Sequence, residues 1–294
     1  MREAEAAGHL AAIFTIMVWG ITFISTKLLL ETFSPFAILF VRFFIGWLFL
    51  FVLAPRRLNK ISRDQRLLFA GAGLTGVTLY FLMENIALEY TYASNVAIIV
   101  SLAPFFTVLL ARIFLKINRP GKNFIMGFIL AMAGIIVISA NPDELEFNII
   151  GDGLALLAAL AWGFYSIFTR KLADYGLESL LATRAVFFYG LLFMLPATLF
   201  LPLNLSLEKL STPVNLINIL FLGLGASAIC FATWTFAIKL LGVARSSMYI
   251  YLVPPVTVIA AYFVLGEPIN VKIIAGIVLT IGGLVYAERG KENK

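Results

Sequence analysis

The stretch Pro35 to Ala54 reads PFAILFVRFFIGWLFLFVLA and carries a single charged side chain, Arg42. About twenty helical residues span roughly 30 Å, the depth of a bilayer's hydrocarbon core. Runs of this kind recur along the chain at 9–31, 34–54, 67–88, 94–115, 122–140, 151–173, 180–202, 215–238, 245–265 and 271–288. The first is too long for the apolar core of a signal peptide and is taken as a span. Only 13% of the residues are charged and 61% are hydrophobic, whereas a soluble domain carries roughly 25% charged residues. The fold expected is an all-α polytopic membrane protein of ten transmembrane helices, with no extramembrane domain.

The runs fall into two related sets. YFLMENIALEYTYASNVAIIVSLAPFFTVLLARIF, from Tyr80, has a counterpart from Cys230, CFATWTFAIKLLGVARSSMYIYLVPPVTVIAAYFVLGEP. Lining up Ala87 with Ala237 brings Pro104 onto Pro254. Trp19-Gly20 with Thr26-Lys27 matches Trp162-Gly163 with Thr169-Arg170 at the same spacing, and Arg42 matches Arg184. Gly71-x-Gly73 matches Gly223-x-Gly225, and Gly127 with Gly134 matches Gly276 with Gly283. An ordered series of pairs indicates an internal duplication. The two repeats expected are 8–140, holding spans 1 to 5, and 151–288, holding spans 6 to 10, with the acidic segment NPDELEFN at 141–148 as the seam.

Lysine and arginine orient the spans, because cytoplasmic loops hold the excess of both. Arg56, Arg57, Lys60, Arg63 and Arg66 follow span 2; Lys116, Arg119 and Lys122 follow span 4. Arg170 and Lys171, then Lys239 and Arg245, then Arg289, Lys291 and Lys294 follow spans 6, 8 and 10 on the same side. The chain is therefore expected in the cell membrane with both termini cytoplasmic. Its net charge of +6 faces anionic lipid, and no nucleic-acid partner is expected. Five spans per repeat is an odd number, so the second repeat enters from the opposite face. Inverted repeats of this kind characterise secondary transporters, with the substrate site between them near the midplane.

Few residues carry candidate chemistry. Trp19 and Trp162 fall near the middle of spans 1 and 6, where an indole N–H needs either a packed acceptor or a hydrated cavity. Thr22, Tyr80, Ser101, Tyr165, Ser166, Trp234 and Tyr251 lie at similar depths and are candidates for the same cavity. Pro104, Pro254 and Pro255 each remove a backbone donor inside a span, which suits a fixed kink or a bending gate. Arg42 and Arg184 lie a few residues inside their span ends, close enough to snorkel. Glu84 lies about one turn inside the outer end of span 3, and its repeat partner is Trp234. It is the candidate coupling group, for a proton or a cationic substrate; a carboxylate reaching the headgroups, or hydrogen-bonded to a neighbouring helix, is the competing reading. Glu267 closes span 9, and its first-repeat equivalent falls at Lys116-Ile117.

Other chemistry finds no support. Gly71-Ala-Gly73-Leu-Thr-Gly76 matches a dinucleotide pattern that requires a strand before it, yet it lies inside span 3, where glycine favours close helix packing. Gly127, Gly134, Gly276, Gly282 and Gly283 take the same reading. Asp64, Asp143, Asp152 and Asp174 sit in loops or span ends, and His9 is the one histidine. One cysteine, Cys230, excludes a disulfide within the chain. No cofactor, metal site or enzymatic activity is expected.

Trp-Gly in spans 1 and 6, Ala93-Ser94 before span 4, proline in spans 4 and 9 and LGEP at 265–268 together resemble the EamA family of the drug/metabolite transporter superfamily. The resemblance covers both repeats and departs at Lys116-Ile117, where a glutamate would fall. It implies a ten-helix exporter or exchanger of small metabolites, such as amino acids, amines or related compounds, with a cavity lined by spans 1, 3, 4, 6, 8 and 9. A channel or a lipid-handling protein is the alternative. The topology is testable with single cysteines on a Cys230→Ser background and an impermeant maleimide applied to intact cells. Positions in 141–148 should label, and positions in 56–66 should label only after permeabilisation.

Overall fold

The computed structural model describes residues 2–56, 58, 61–115, 122–139, 148–201, 203 and 205–289. The seam at 141–147, the Lys116-Ile117 position, and Arg57, Lys60, Arg119, Lys291 and Lys294 lie outside the described residues. The helices are α1 (Arg2–Leu30), α2 (Pro35–Leu53), α3 (Arg63–Tyr90), α4 (Ala93–Phe114) and α5 (Lys122–Ser139), then α6 (Ile149–Ala173), α7 (Ser179–Leu199), α8 (Pro213–Gly242), α9 (Tyr249–Leu265) and α10 (Val271–Arg289). No strand occurs among the described residues. Seven helices, α1 to α4 and α6 to α8, are long and apolar enough to cross a membrane. The other three contain shorter apolar stretches, Ile125–Gly134, Tyr249–Leu265 and Val271–Gly283.

Local chemistry fixes the helix ends. Ser34 accepts from Ala37 N–H at 3.2 Å ahead of Pro35, which fits the first turn because its missing donor is not needed there. Ser62 and Gln65 form a reciprocal capping box at the start of α3. Asn148 accepts from Ile150 and Gly151 N–H to open α6. At the end of α9, Gly266 takes φ +68° and Glu267 N–H reaches back to Ala261 O. That left-handed residue turns the chain sharply and aims the Glu267 side chain back at the bundle.

Packing runs between the halves more than within them. α1 packs on α8 and α9, while α6 packs on α3 and α4. α2 packs on α8, and α7 on α3; α2 also meets α7, α4 meets α9 and α5 meets α10. Exchanging α1–α5 with α6–α10 returns the same set of contacts. At the centre the matched tryptophans Trp19 and Trp162 meet edge to face, 5.4 Å between centroids. Phe231 packs beside both and against Phe187 at 5.2 Å. Edge-to-face pairs place the positive rim of one ring on the negative face of the next. Outward-facing residues such as Val52, Ile129, Phe263 and Val278 are apolar and exposed, as a lipid-facing surface requires.

Lipid is as apolar as leucine, so helices in it gain by close approach rather than by apolar burial. The glycines supply that approach. A Cβ on Gly73 would lie 2.6 Å from Gly190 N in α7, and one on Gly76 would overlap the Tyr165 ring. On the α5–α10 seam, a Cβ on Gly134 would meet Gly276 O at 2.6 Å, and one on Gly283 would meet Gly127 O at 2.5 Å. Gly282 departs from the expected packing role: nothing lies within 4 Å of its Cβ position. Gly283→Ala should therefore lower unfolding free energy by about 1–3 kcal/mol, while Gly282→Ala should be neutral within about 0.5 kcal/mol. Thermal melts of the two neighbouring variants in one detergent check this.

Candidate functional site

Backbone irregularities gather around one place. α4 breaks at Ser101-Leu102 between the segments Ala93–Val100 and Ala103–Phe114. α9 begins as a tight 3-10 turn, Tyr249–Leu252, before Val253–Leu265. Pro104 and Pro254 consequently stand in the first turn of a new helical segment, where the missing donor costs little; Pro255 follows in the same turn. The expected mid-helix kinks are thus breaks. α3 and α8 each widen into a π-helical segment at equivalent positions, Leu74–Leu79 and Phe221–Ile229. A π segment leaves carbonyls displaced from the regular ladder. Ala226 O in the second one accepts from Trp19 Nε1 at 3.0 Å.

Between these breaks lies a cavity with about 500 Å³ of empty space, counting the part open to solvent. Trp19 and Thr22 reach it from α1, Tyr80 and Glu84 from α3, Ser101 from the α4 break and Trp162 from α6. Five of the nine expected cavity residues therefore meet there. Phe23, Phe81, Val100, Ala103, Ile250 and Val253 complete the wall and were not singled out by depth alone. Trp234 is buried against Trp19 at 5.2 Å, behind the wall. Ser166 is buried and donates to Trp162 O at 2.9 Å, and Tyr251 is buried beyond the wall. Tyr165 packs on Trp162 at 4.8 Å and lines a second cavity of about 610 Å³. That cavity continues past Thr169, Ala182 and Thr235 to Lys239.

Glu84 is 1% exposed, and the Tyr80 hydroxyl on the same helix stands beside its carboxylate. It is buried inside the bundle. It faces the cavity one turn beyond Tyr80, with the Arg42 guanidinium as an electrostatic neighbour. Arg42 does not snorkel either: it is fully buried, with Nε donating to Ser227 Oγ at 3.1 Å in the π segment of α8. Its guanidinium carbon lies 4.4 Å from the Phe81 ring centroid, and Nη1 and Nη2 have no acceptor. Its repeat partner Arg184 behaves differently, donating to Ala54 O and Arg56 O beyond the end of α2. His9 is half-buried, and its Nδ1 shares a hydrogen bond with the Tyr249 hydroxyl at 2.5 Å.

One end of the bundle is clamped. Lys27 Nζ donates to Leu88 O at 2.8 Å and Thr91 O at 2.6 Å, capping the carboxyl end of α3. Glu267 accepts from Ala93 N at 2.8 Å and from both Ser94 N and Ser94 Oγ, capping the amino end of α4. Each charge meets the helix terminus of opposite polarity. Thr26, Asn85 and Leu88 in this end are fully buried. Their repeat partners Thr169, Thr235 and Ile238 are only half-buried and line the second cavity. The partner of Lys27, Arg170, forms an exposed ion pair with Asp174 at 2.6 Å.

Comparison with known proteins gives a consistent match. The model of the EamA-like transporter family matches residues 6–140 and again 149–287. An uncharacterized transporter of Archaeoglobus fulgidus is 29% identical over 97% of this chain and 98% of its own length. A probable terminal-alkyne amino-acid exporter of Streptantibioticus cattleyicolor is 28% identical over 95% of this chain and 92% of its own. A crystal structure at 17% identity covers 96% of this chain and 98% of its own with a TM-score of 0.68, which establishes likeness of fold alone.

The clamp generates a matched test. Lys27→Met removes two charge-assisted bonds to carbonyls, and should cost about 1.5–3 kcal/mol. Arg170→Met breaks an exposed pair, and should cost no more than about 1 kcal/mol. Melting of both variants, scored against the parent chain, distinguishes a clamp from a surface contact.

Proposed function

The chain belongs to the EamA-like transporter family, and on that premise we propose that it is a secondary transporter moving small organic metabolites by alternating access. In this reading α1–α5 and α6–α10 are two inverted repeats of five spans, matching residues 8–140 and 151–288. The contact pattern that survives their exchange supports it, as does the odd number of helices in each half. The central cavity between Trp19 and Trp162 is the substrate site. Both termini face the cytoplasm in the cell membrane, following the placement of Arg and Lys.

The observation that carries the mechanism is the difference between two ends related by the repeat. The end at Lys27 and Glu267 is packed shut, while the equivalent end at Thr169, Thr235 and Lys239 holds a cavity. With the basic side inward, this is the conformation open to the cytoplasm. Exchange of the roles of the two ends, α4 and α9 bending at their breaks, turns the site outward. Tyr165, between the two cavities, then separates the site from the cytoplasmic vestibule. Substrates in this reading are amino acids, amines or related compounds, and the likeness to a probable terminal-alkyne amino-acid exporter supports export as the direction.

A crosslink tests the cycle. Ser94 and Glu267 touch through their side chains at 2.5 Å. In proteoliposomes, a Ser94→Cys, Glu267→Cys double variant on Cys230→Ser should lose substrate counterflow when oxidised or bridged by a short bis-thiosulfonate. Reduction should restore the flux of the uncrosslinked variant. Full counterflow through the crosslinked protein would mean that this end need not open.

A further inference from the structure

The transport reading leaves the chemistry of the substrate open, and the cavity wall narrows it. Among the residues that line it, one has an acidic side chain, and that one is Glu84. A carboxylate 1% exposed is costly, because burial strips its water and the Tyr80 hydroxyl beside it returns only part of that hydration. The other hydroxyl groups of the wall do not compensate it. Thr22 Oγ1 donates to Trp19 O at 2.7 Å, and Ser101 Oγ donates to Ile98 O at 2.6 Å. Both therefore turn lone pairs, not protons, toward any visitor. The indole N–H of Trp19 is likewise spent on Ala226 O.

The remaining wall is aromatic. Trp19, Tyr80, Phe81 and Trp162 contribute rings that touch one another at 4.6 to 5.4 Å. Aromatic faces attract a cation and repel an anion. The positive group that answers Glu84 at a distance, Arg42, does not line the cavity. It lies against the Phe81 ring and is held by Ser227, and no ion pair links it to Glu84 among the described residues. An anionic group entering the cavity would meet Glu84 and the ring faces, with no wall cation to receive it.

We infer that the cavity binds a small organic ammonium cation, its positive nitrogen on Glu84 and its apolar part between Trp19 and Trp162. This inference rests on the cavity being the substrate site, and it selects amines over amino acids and carboxylates. A zwitterion would bring a carboxylate that this wall repels. Discrimination of this sort comes as much from the unfavourable contact as from the favourable one.

Four probes share a phenyl ring and differ in charge: 2-phenylethylammonium, 2-phenylethanol, phenylalanine and 3-phenylpropanoate. Calorimetric titration of the purified full-length chain should rank the ammonium tightest, by at least about tenfold over each of the others. Glu84→Gln should bring the ammonium down to the affinity of the alcohol and leave the alcohol unchanged. Glu84→Asp, which keeps the charge, should retain the ammonium preference. Equal or tighter binding of phenylalanine or phenylpropanoate overturns the inference, as does an ammonium preference that survives Glu84→Gln. If neither variant folds, the ranking on the parent chain decides. Counterflow of the same probes in proteoliposomes tests the transport reading separately. Flux of phenylalanine without ammonium binding keeps the transporter and removes the cation site. Ammonium binding with no flux of any probe does the reverse.

Discussion

A backbone surrounded by hydrocarbon has nowhere but the protein to place its N–H and C=O groups. That constraint organises this molecule. Among the described residues, the main departures from regular helix in the middle of the spans are found on the inside. The break at Ser101-Leu102, the tight turn at Tyr249–Leu252 and the π segments of α3 and α8 face other helices or the cavity. Both π segments put polar groups to use. Ala226 O takes the Trp19 indole, and Thr78 Oγ1 donates to Gly190 O on α7 at 2.9 Å. The central cavity is thus the place where the helices stop being ideal, and it exists because those irregularities can be satisfied there.

Much of this was legible in the chain. Apolar runs gave the helices, and the repeat made Trp19 and Trp162 equivalent before their contact was known. Depth in a span was a weaker guide. It drew in Trp234 and Ser166, which have the right depth but turn into the packing, and it omitted Phe81 and Val253. Which face of a helix looks inward depends on the neighbours it meets, and those lie far away in sequence. The bond from Arg42 to Ser227 crosses 185 residues, so its burial could not be read from its distance to the end of a span. Glu267 gave the same difficulty, since the helix start it caps lies 174 residues earlier.

The matched arginines show how a duplicated sequence diverges without changing residue. Arg184 sits at the rim, where its guanidinium closes the end of α2 and water can reach it. Arg42 sits inside with one bond, a ring face and two unanswered nitrogens. An arginine cannot shed its proton to escape such a place. Its charge is a fixed part of the central region, and it stands near the one carboxylate that the second repeat replaces with Trp234. The polar character of the centre therefore comes from the first half, while the second contributes Phe231, Trp234 and the π-segment carbonyl.

In the alternating cycle proposed above, the clamp at Lys27 and Glu267 has a further consequence. Two perfectly equivalent halves would make the two facing conformations mirror each other in energy, and an empty carrier would spend equal time in each. Here a carboxylate and an ammonium secure one closed end, and the related lysine-to-arginine position at the other end spends its charge in water. A difference of about 1.4 kcal/mol between the conformations is a tenfold bias in population, and a substrate shifts it only by favouring one of them. Duplication supplied the symmetry that makes two states available. Two charged side chains at one end, Lys27 from the first copy and Glu267 from the second, would in that cycle set which of them the idle carrier occupies.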